Sequence, residues 1–290
     1  MNVYLTGFYD TDQYLIKFLT IESIYLLTFI SKSTYKVLID SPIYKQLVEV
    51  KDFKFYDKLR YSAQYGYVKI IKLYNRCQTI STSDFNMLAL EASKYGQLKI
   101  LITLLQFGAD IKYDNYALCA SENGHLSVVK YLVNIGADIT VDNYSAVRWA
   151  SYNGHLSVVK YLVDIGADIT ADDNSAVRWA SYKGHLAVVK YLVQVGADIT
   201  VQNNCAVQIA SKNGRLNVVQ YLVSVGADCT VCKNYAVRWA SYNGHLDVVR
   251  YLVSVGADIG ADNNCAVRWA SENGHQDIVQ YLVSIGAVIY

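Results

Sequence analysis

The amino-acid sequence predicts an all-α fold, an α-solenoid of stacked helix–turn–helix repeats with a small helical N-terminal cap. Two observations support this prediction: nearly the same sequence recurs every 30 residues, and each copy carries glycines at fixed positions. A fixed period of this length is typical of stacked units that cannot bury their apolar faces alone. The glycines that mark the period are Gly124, Gly154, Gly184, Gly214, Gly244 and Gly274.

Each period has room for two helices. In one copy we expect the first helix to run from Ser145 to Asn153, with the Ser145 hydroxyl as its N-cap. Gly154 then ends this helix, because glycine adopts the left-handed turn conformation at little cost. The second helix runs from His155 to Gly166, and residues 167–170 form a short extended loop into the next copy. The second helix presents an apolar stripe at helical spacing, which consists of Leu156, Val159, Leu162 and Val163.

Three stretches of the repeated sequence resemble those of the ankyrin repeat family. Residues 145–150 are similar to the family's Thr-Pro-Leu-His-x-Ala segment. Residues 153–160 are similar to its Asn-Gly-His-Leu-x-Val-Val-Lys segment, and residues 166–168 match its Gly-Ala-Asp. The resemblance implies stacked pairs of helices that bind other proteins.

The resemblance covers residues 56–290 and implies about eight repeats, with weaker copies around Gly66 and Gly96. The period is shorter than the ~33 residues usual in ankyrin repeats. The missing residues fall in the segment 168–175, within the hairpin loop through which ankyrin proteins often bind. Such shortened repeats, rich in Tyr, Ile and Asn, are similar to the ankyrin arrays of giant amoeba-infecting viruses, which implies a location in the host-cell cytoplasm.

Composition excludes several classes of function. The net charge of +1 argues against electrostatic capture of nucleic acid or of an anionic membrane. The longest apolar stretch, residues 21–30, contains Glu22 and is too short to span a bilayer. The first residues lack a secretory signal, and six cysteines without a dense framework indicate reduced thiols. We therefore expect a monomeric cytoplasmic protein with a protein partner.

The residues that usually carry catalysis or bind metals all have a simpler interpretation here. The five histidines occupy one slot of the repeat, so they cannot converge on one metal ion; they are His125, His155, His185, His245 and His275. Cys229 and Cys232 form a C-x-x-C, but two further ligands of suitable spacing are missing. We expect no catalytic residue, no metal and no cofactor, and hence no enzyme.

Two aromatic slots of the repeat are expected to serve packing. The tryptophan slot also accepts Ile209 and Cys119, which indicates a core position, with a partly exposed binding hot spot as the alternative; it holds Trp149, Trp179, Trp239 and Trp269. The tyrosine slot of the second helix does not vary among the clear copies, which also favours packing. It holds Tyr131, Tyr161, Tyr191, Tyr221, Tyr251 and Tyr281.

An arginine slot on the first helix supplies the candidate site. Each arginine precedes, by four residues, a position that often holds tyrosine, and residues at this spacing share a helix face. By resemblance, the residues just before the glycine line the concave face of an ankyrin array. The slot forms either an internal ladder that stabilises stacking or a groove that binds a partner. The predicted partner-binding residues are Arg148, Tyr152, Arg178, Tyr182, Arg238 and Tyr242.

Residues 1–55 show no repeat slot and are predicted to form three or four short helices. The Ser31-Lys32 pair, and Asp40-Ser41-Pro42 followed by Tyr44 and Leu47, resemble an F-box. The segment is either a cap that covers the apolar end of the array or an F-box-like module. The first alternative makes the protein a passive scaffold, and the second makes it a substrate adaptor of a cullin–RING ubiquitin ligase.

Overall fold

A computed structural model of the chain describes residues 55–68, 71–72, 75, 81–110 and 116–289. This part of the chain contains fifteen helices and no strand, which confirms the predicted all-α fold. The helices are α1 (Phe55–Tyr65), α2 (Thr82–Lys94), α3 (Leu98–Gln106), α4 (Tyr116–Glu122), α5 (Leu126–Asn134), α6 (Val141–Tyr152), α7 (Leu156–Asp164), α8 (Ala171–Lys183), α9 (Leu186–Gln194), α10 (Val201–Lys212), α11 (Leu216–Ser224), α12 (Val231–Tyr242), α13 (Leu246–Ser254), α14 (Ala261–Glu272) and α15 (Gln276–Ser284).

The chain divides into two compact units, residues 1–120 with 130–137 and residues 121–129 with 138–290. In the first unit, α1 packs on α2, and α2 packs on α3. In the second unit, the first helices of successive repeats pack side by side in the order α6, α8, α10, α12 and α14, and each packs on the second helix of its own repeat. The predicted head, residues 1–55, lies outside the described residues except for Phe55, so its interpretation as a cap or an F-box stays a prediction.

The core of the second unit is built from small residues on the first helices and branched residues on the second helices. In one repeat, Val147 and Ala150 are fully buried on α6, and Val158, Val159 and Leu162 are fully buried on α7. The small side chains allow neighbouring first helices to approach closely. The apolar stripe predicted for the second helix is wrong at its ends, because Leu156 and Val163 are only half-buried. Val158, which was not part of the predicted stripe, belongs to the core.

Two glycines terminate the helices of each repeat, as predicted. Gly154 has φ of +81° and Gly166 has φ of +95°, a region that only glycine adopts without strain. The first helix begins at Val141, but Tyr144 has φ of +60°, so the right-handed part of the helix starts at Ser145. The Ser145 hydroxyl accepts a hydrogen bond of 2.7 Å from the Arg148 guanidinium.

A left-handed turn stands where the sequence comparison placed the shortened hairpin. At the start of α8, Asp172, Asp173 and Asn174 have φ between 53° and 56°, a conformation in which Asp and Asn are the common non-glycine residues. The Asn174 side chain accepts a hydrogen bond of 2.9 Å from the backbone N–H of Asp198, in the loop that leads from the same repeat into the next. Asn204 and Asn234 accept the same bond from the backbone N–H groups of Asp228 and Asp258.

Candidate functional site

The histidines connect neighbouring repeats. The Nε2 of His155 lies 2.9 Å from the Glu122 carbonyl oxygen, at the end of the first helix of the preceding repeat. His245 and His275 repeat this contact at 3.1 and 2.9 Å, with the carbonyls of Lys212 and Tyr242. The contact satisfies a carbonyl that the helix end leaves without an intrahelical partner.

Other residues in the histidine slot make the same bond. Arg215 donates from Nε to the Tyr182 carbonyl at 3.1 Å, and Gln97 donates to the Gln64 carbonyl at 2.8 Å. Burial lowers the pKa of His185, as expected for a ring held neutral between repeats. The slot therefore serves inter-repeat bonding, in agreement with the structural role predicted for it.

The arginines of the candidate site are held by the left-handed turns. Arg148 pairs with Asp172 of the next repeat through a 2.9 Å bond between Nη1 and Oδ2. Arg178 donates to the carbonyls of Asp172 and Asp173 at 2.7 and 3.0 Å, and to the Gln202 side chain at 3.1 Å. These bonds close each turn and tie it to the next repeat.

Arg238 is the most deeply held of the set, with only 10% of its side chain exposed. Its Nη1 lies 2.6 Å from Oδ2 of Asp262, and its Nη2 donates to the Cys232 carbonyl at 3.0 Å. The guanidinium also lies 5.6 Å from the ring centroid of Trp269 in the next repeat. These contacts support the internal-ladder interpretation of the arginine slot.

The tyrosines of the candidate site stay accessible. Tyr182 is 42% exposed and Tyr242 is 38% exposed, while Tyr152 is half-buried. Each lies at the C-terminal end of a first helix, away from the turn that holds the arginine four residues earlier. The structure thus separates the predicted set into anchored arginines and accessible tyrosines.

Tryptophans complete this accessible surface. The prediction that they occupy a core slot is wrong, because Trp179 is 36% exposed and the other three are half-buried. They pack on one another and on the tyrosines in the C-terminal halves of the first helices. We call this surface the aromatic face; it consists of Trp149, Tyr152, Trp179, Tyr182, Trp239, Tyr242 and Trp269.

The aromatic face consists of two clusters. In the first, the ring centroids of Tyr152 and Trp179 lie 5.1 Å apart and those of Tyr152 and Tyr182 lie 6.2 Å apart. In the second, the Trp269 ring lies 5.4 Å from Trp239 and 5.6 Å from Tyr242. The repeat between the two clusters has Ile209 and Lys212 in the aromatic slots. Such ring contacts fix side chains that would otherwise move freely, and so they preorganise the surface.

The repeated sequence and the paired helices agree with a match to a known family. A family model described as ankyrin repeats, in three copies, matches residues 87–173, 148–231 and 207–290. This chain belongs to the ankyrin repeat family. No curated protein matches the ankyrin chain in a sequence comparison. Ankyrin repeats are generally protein-interaction modules and are typically non-enzymatic.

Within the described part of this ankyrin protein, no group of three or more His, Cys, Asp or Glu residues is placed to hold a metal ion. The two cysteines of the C-x-x-C differ in environment, since Cys229 is buried and Cys232 is exposed. Burial raises the pKa of the Cys229 thiol, which disfavours the reactive thiolate. Among the described helices, none is long and apolar enough to cross a membrane.

Proposed function

We propose that this ankyrin protein is a non-enzymatic scaffold that binds a partner protein through the aromatic face of its second unit. The observation that supports this most directly is the exposure of Trp179, Tyr182 and Tyr242 on one edge of a protein-interaction module. Tyrosine and tryptophan are enriched among the residues that carry binding energy at protein interfaces. Each such anchor contributes about 2 kcal/mol or more when a partner desolvates it.

The arginines of the predicted site support the same proposal in a different role. Arg148, Arg178 and Arg238 hold the turns in place and keep the first helices in register. These bonds occupy their guanidinium groups, so the arginines contribute to the site by fixing the helices that carry the tyrosines. A rigid scaffold loses little conformational entropy when it binds, which favours affinity.

The test is capture of host-cell proteins by the full-length chain and by a variant with Tyr152, Tyr182 and Tyr242 changed to Ala. We expect the triple variant to lose the captured partner. Other repeats of this chain have Glu122, Lys212 and Glu272 in the same slot, so the fold tolerates the absence of these rings. We therefore expect the thermal transition of the triple variant to shift only slightly.

A matched control removes three ring contacts from the second helices instead. Lys160, Lys190 and Arg250 each lie over a tyrosine ring of the following repeat, at 5.5, 5.5 and 4.8 Å from the centroid. Their triple change to Ala should leave capture unchanged. If the tyrosine variant unfolds, or captures the partner as well as the parent does, the proposal is wrong and the tyrosines are structural.

A second candidate function follows from the F-box-like sequence of residues 1–55. In that case the protein is a substrate adaptor of a cullin–RING ubiquitin ligase, and the array selects the target. The free thiols of the described cysteines fit a reducing compartment such as the host-cell cytoplasm, where such ligases act. Capture of ligase subunits by the full chain, and their loss when residues 1–55 are removed from a variant that still folds, would support this function. Equal capture by both would contradict it.

A further inference from the structure

A cluster of cations occupies the gap between the two halves of the aromatic face. The Nζ of Lys183 lies 4.5 Å from the Tyr152 ring centroid and 5.8 Å from that of Tyr182. The Nζ of Lys212 lies 4.1 Å from the centroid of Trp239. Two cations are thus held against rings in two successive repeats, one beside each aromatic cluster.

Arg215 adds a third cation to the cluster. Its side chain donates a hydrogen bond to the Tyr182 carbonyl. This bond places the Arg215 charge at the C-terminal end of α8, the helix that also carries Lys183. Arg215 and Lys183 both contribute to the lowered pKa of His185, although burial is the largest cause. The three cations therefore concentrate positive charge in one place, which we call the basic centre: Lys183, Lys212 and Arg215.

The basic centre has no acidic partner in the described part of the second unit, where the ion pairs involve other side chains. It also departs from the repeat. The slot of Lys183 holds Asn in each of the other five clear copies, as at Asn153, and the slot of Lys212 holds Tyr or Glu in each of its other five. The two glutamates of that slot stand at the ends of the row, as Glu122 and Glu272. A partner aligned along the row therefore meets positive charge in the middle and negative charge at both ends.

We propose that the aromatic face binds an extended peptide segment with acidic side chains at its centre and apolar or aromatic side chains on both sides. This inference rests on the proposed function and specifies its partner. Carboxylates at the centre would pair with the basic centre, and the flanking side chains would pack on the two ring clusters. Complementary charge of this kind determines register and selectivity more than it adds affinity.

The length of the segment follows from the stacking of the repeats. Tyr152 and Tyr242 are three repeats apart, and packed helices lie about 10 Å apart, which gives a span of about 30 Å. An extended chain rises about 3.3 Å per residue, so roughly nine residues cover that span. A segment of this length can contact both ring clusters at once only if it is extended.

The test selects binders from a displayed library of random 12-residue peptides, with the full-length chain as the target. We expect the selected peptides to carry Asp or Glu near the middle, flanked by aromatic or aliphatic residues. Synthetic copies with the central acidic residues changed to Gln or to Lys are then compared by fluorescence anisotropy. The Lys peptides should bind at least about tenfold more weakly at low salt, and the difference should shrink at high salt because salt screens exposed charges.

Charge reversal in the protein provides the second arm. The double variant Lys183→Glu with Lys212→Glu should lose the preference for acidic peptides and bind the Lys-centred peptides better than the parent does. The matched control is Lys160→Glu with Lys190→Glu, which removes two cations that also lie over tyrosine rings but on the second helices. The control should keep the parental preference.

The outcomes separate this inference from the proposed function. Peptides without acidic enrichment, or peptides insensitive to reversal of Lys183 and Lys212, overturn the inference. If those peptides still depend on Tyr152, Tyr182 and Tyr242, the binding face itself stands. A library that yields no binder also overturns the inference. So does a thymidine 12-mer that binds more tightly than every selected peptide, because rings and cations together also suit single-stranded nucleic acid.

Discussion

Gly154, which precedes His155, has two reasons to be glycine, and Gly154→Ala should reveal both. Gly154 has φ of +81°, which strains any residue with a Cβ. A Cβ at this position would also lie 2.5 Å from Nδ1 of His185 in the next repeat. His185 must therefore move, and its hydrogen bond to the Tyr152 carbonyl is lost.

The two costs can be estimated separately. Left-handed backbone costs alanine about 1 kcal/mol relative to glycine. The lost inter-repeat hydrogen bond and the half-buried carbonyl that it leaves add about 1–1.5 kcal/mol. Gly154→Ala should thus lower the free energy of unfolding by about 2–2.5 kcal/mol in total. Gly166→Ala should cost only about 1 kcal/mol, because its φ of +95° is similar and no atom lies within 4 Å of the added Cβ.

The assay is urea unfolding of the full chain, followed by circular dichroism, for Gly154→Ala, Gly166→Ala, His185→Ala and the double variant Gly154→Ala with His185→Ala. In the His185→Ala background no ring obstructs the new Cβ, so Gly154→Ala should cost only about 1 kcal/mol. If Gly154→Ala costs the same with and without the His185 ring, the close contact contributes nothing and this reasoning is wrong.

Two further predictions concern the slots that join the repeats. Burial lowers the pKa of His185 and of His245. Below about pH 6.5 the unfolded chain therefore binds more protons than the folded chain, and the free energy of unfolding falls as the pH drops from 7 to 5. Changing both to Gln, which makes the same bond at Gln97, should flatten the dependence of the urea midpoint on pH; an unchanged slope would contradict this. Arg238→Gln should cost about 1 kcal/mol, because it loses the Asp262 pair but can still donate to a carbonyl of its turn, as Gln208 does to Asn203. Arg238→Ala leaves the turn without any side-chain donor from this slot and should cost about 2 kcal/mol. Equal unfolding free energies for the two Arg238 variants would contradict this.

Several features were predictable because they depend on one repeat alone. The left-handed turns at Gly154 and Gly166 follow from residue type and spacing. The buried Val159 and Leu162 follow from helical periodicity. The histidine slot was predictable as structural because five copies in separate repeats cannot converge on one ligand. Its partner, the carbonyl of the preceding repeat, was not predictable, because that contact crosses between repeats.

Two features of the candidate site depend on contacts with a neighbouring repeat. Tryptophan in a slot that also holds Ile209 suggests a core position, yet Trp179 is exposed and makes an edge-to-face contact with the Tyr152 ring. Arg148 and Tyr152 share a helix face, but the Arg148 guanidinium pairs with Asp172 of the next repeat. Lys183 and Lys212 were visible only as breaks in the pattern, and they gained meaning when the structure placed them over aromatic rings.

The sequence by itself determined the fold class, the helix pairs and the family, because a strict period of 30 residues requires each unit to pack on its neighbours. Only the tertiary structure decided which side of each first helix is bonded and which is accessible. The left-handed turn at residues 172–174 presents carbonyls that accept hydrogen bonds from Arg178, so the side of the helix that carries Arg178 is bonded. Burial depends on the atoms that an adjacent repeat supplies, so the aromatic face could be recognised only after the repeats were stacked.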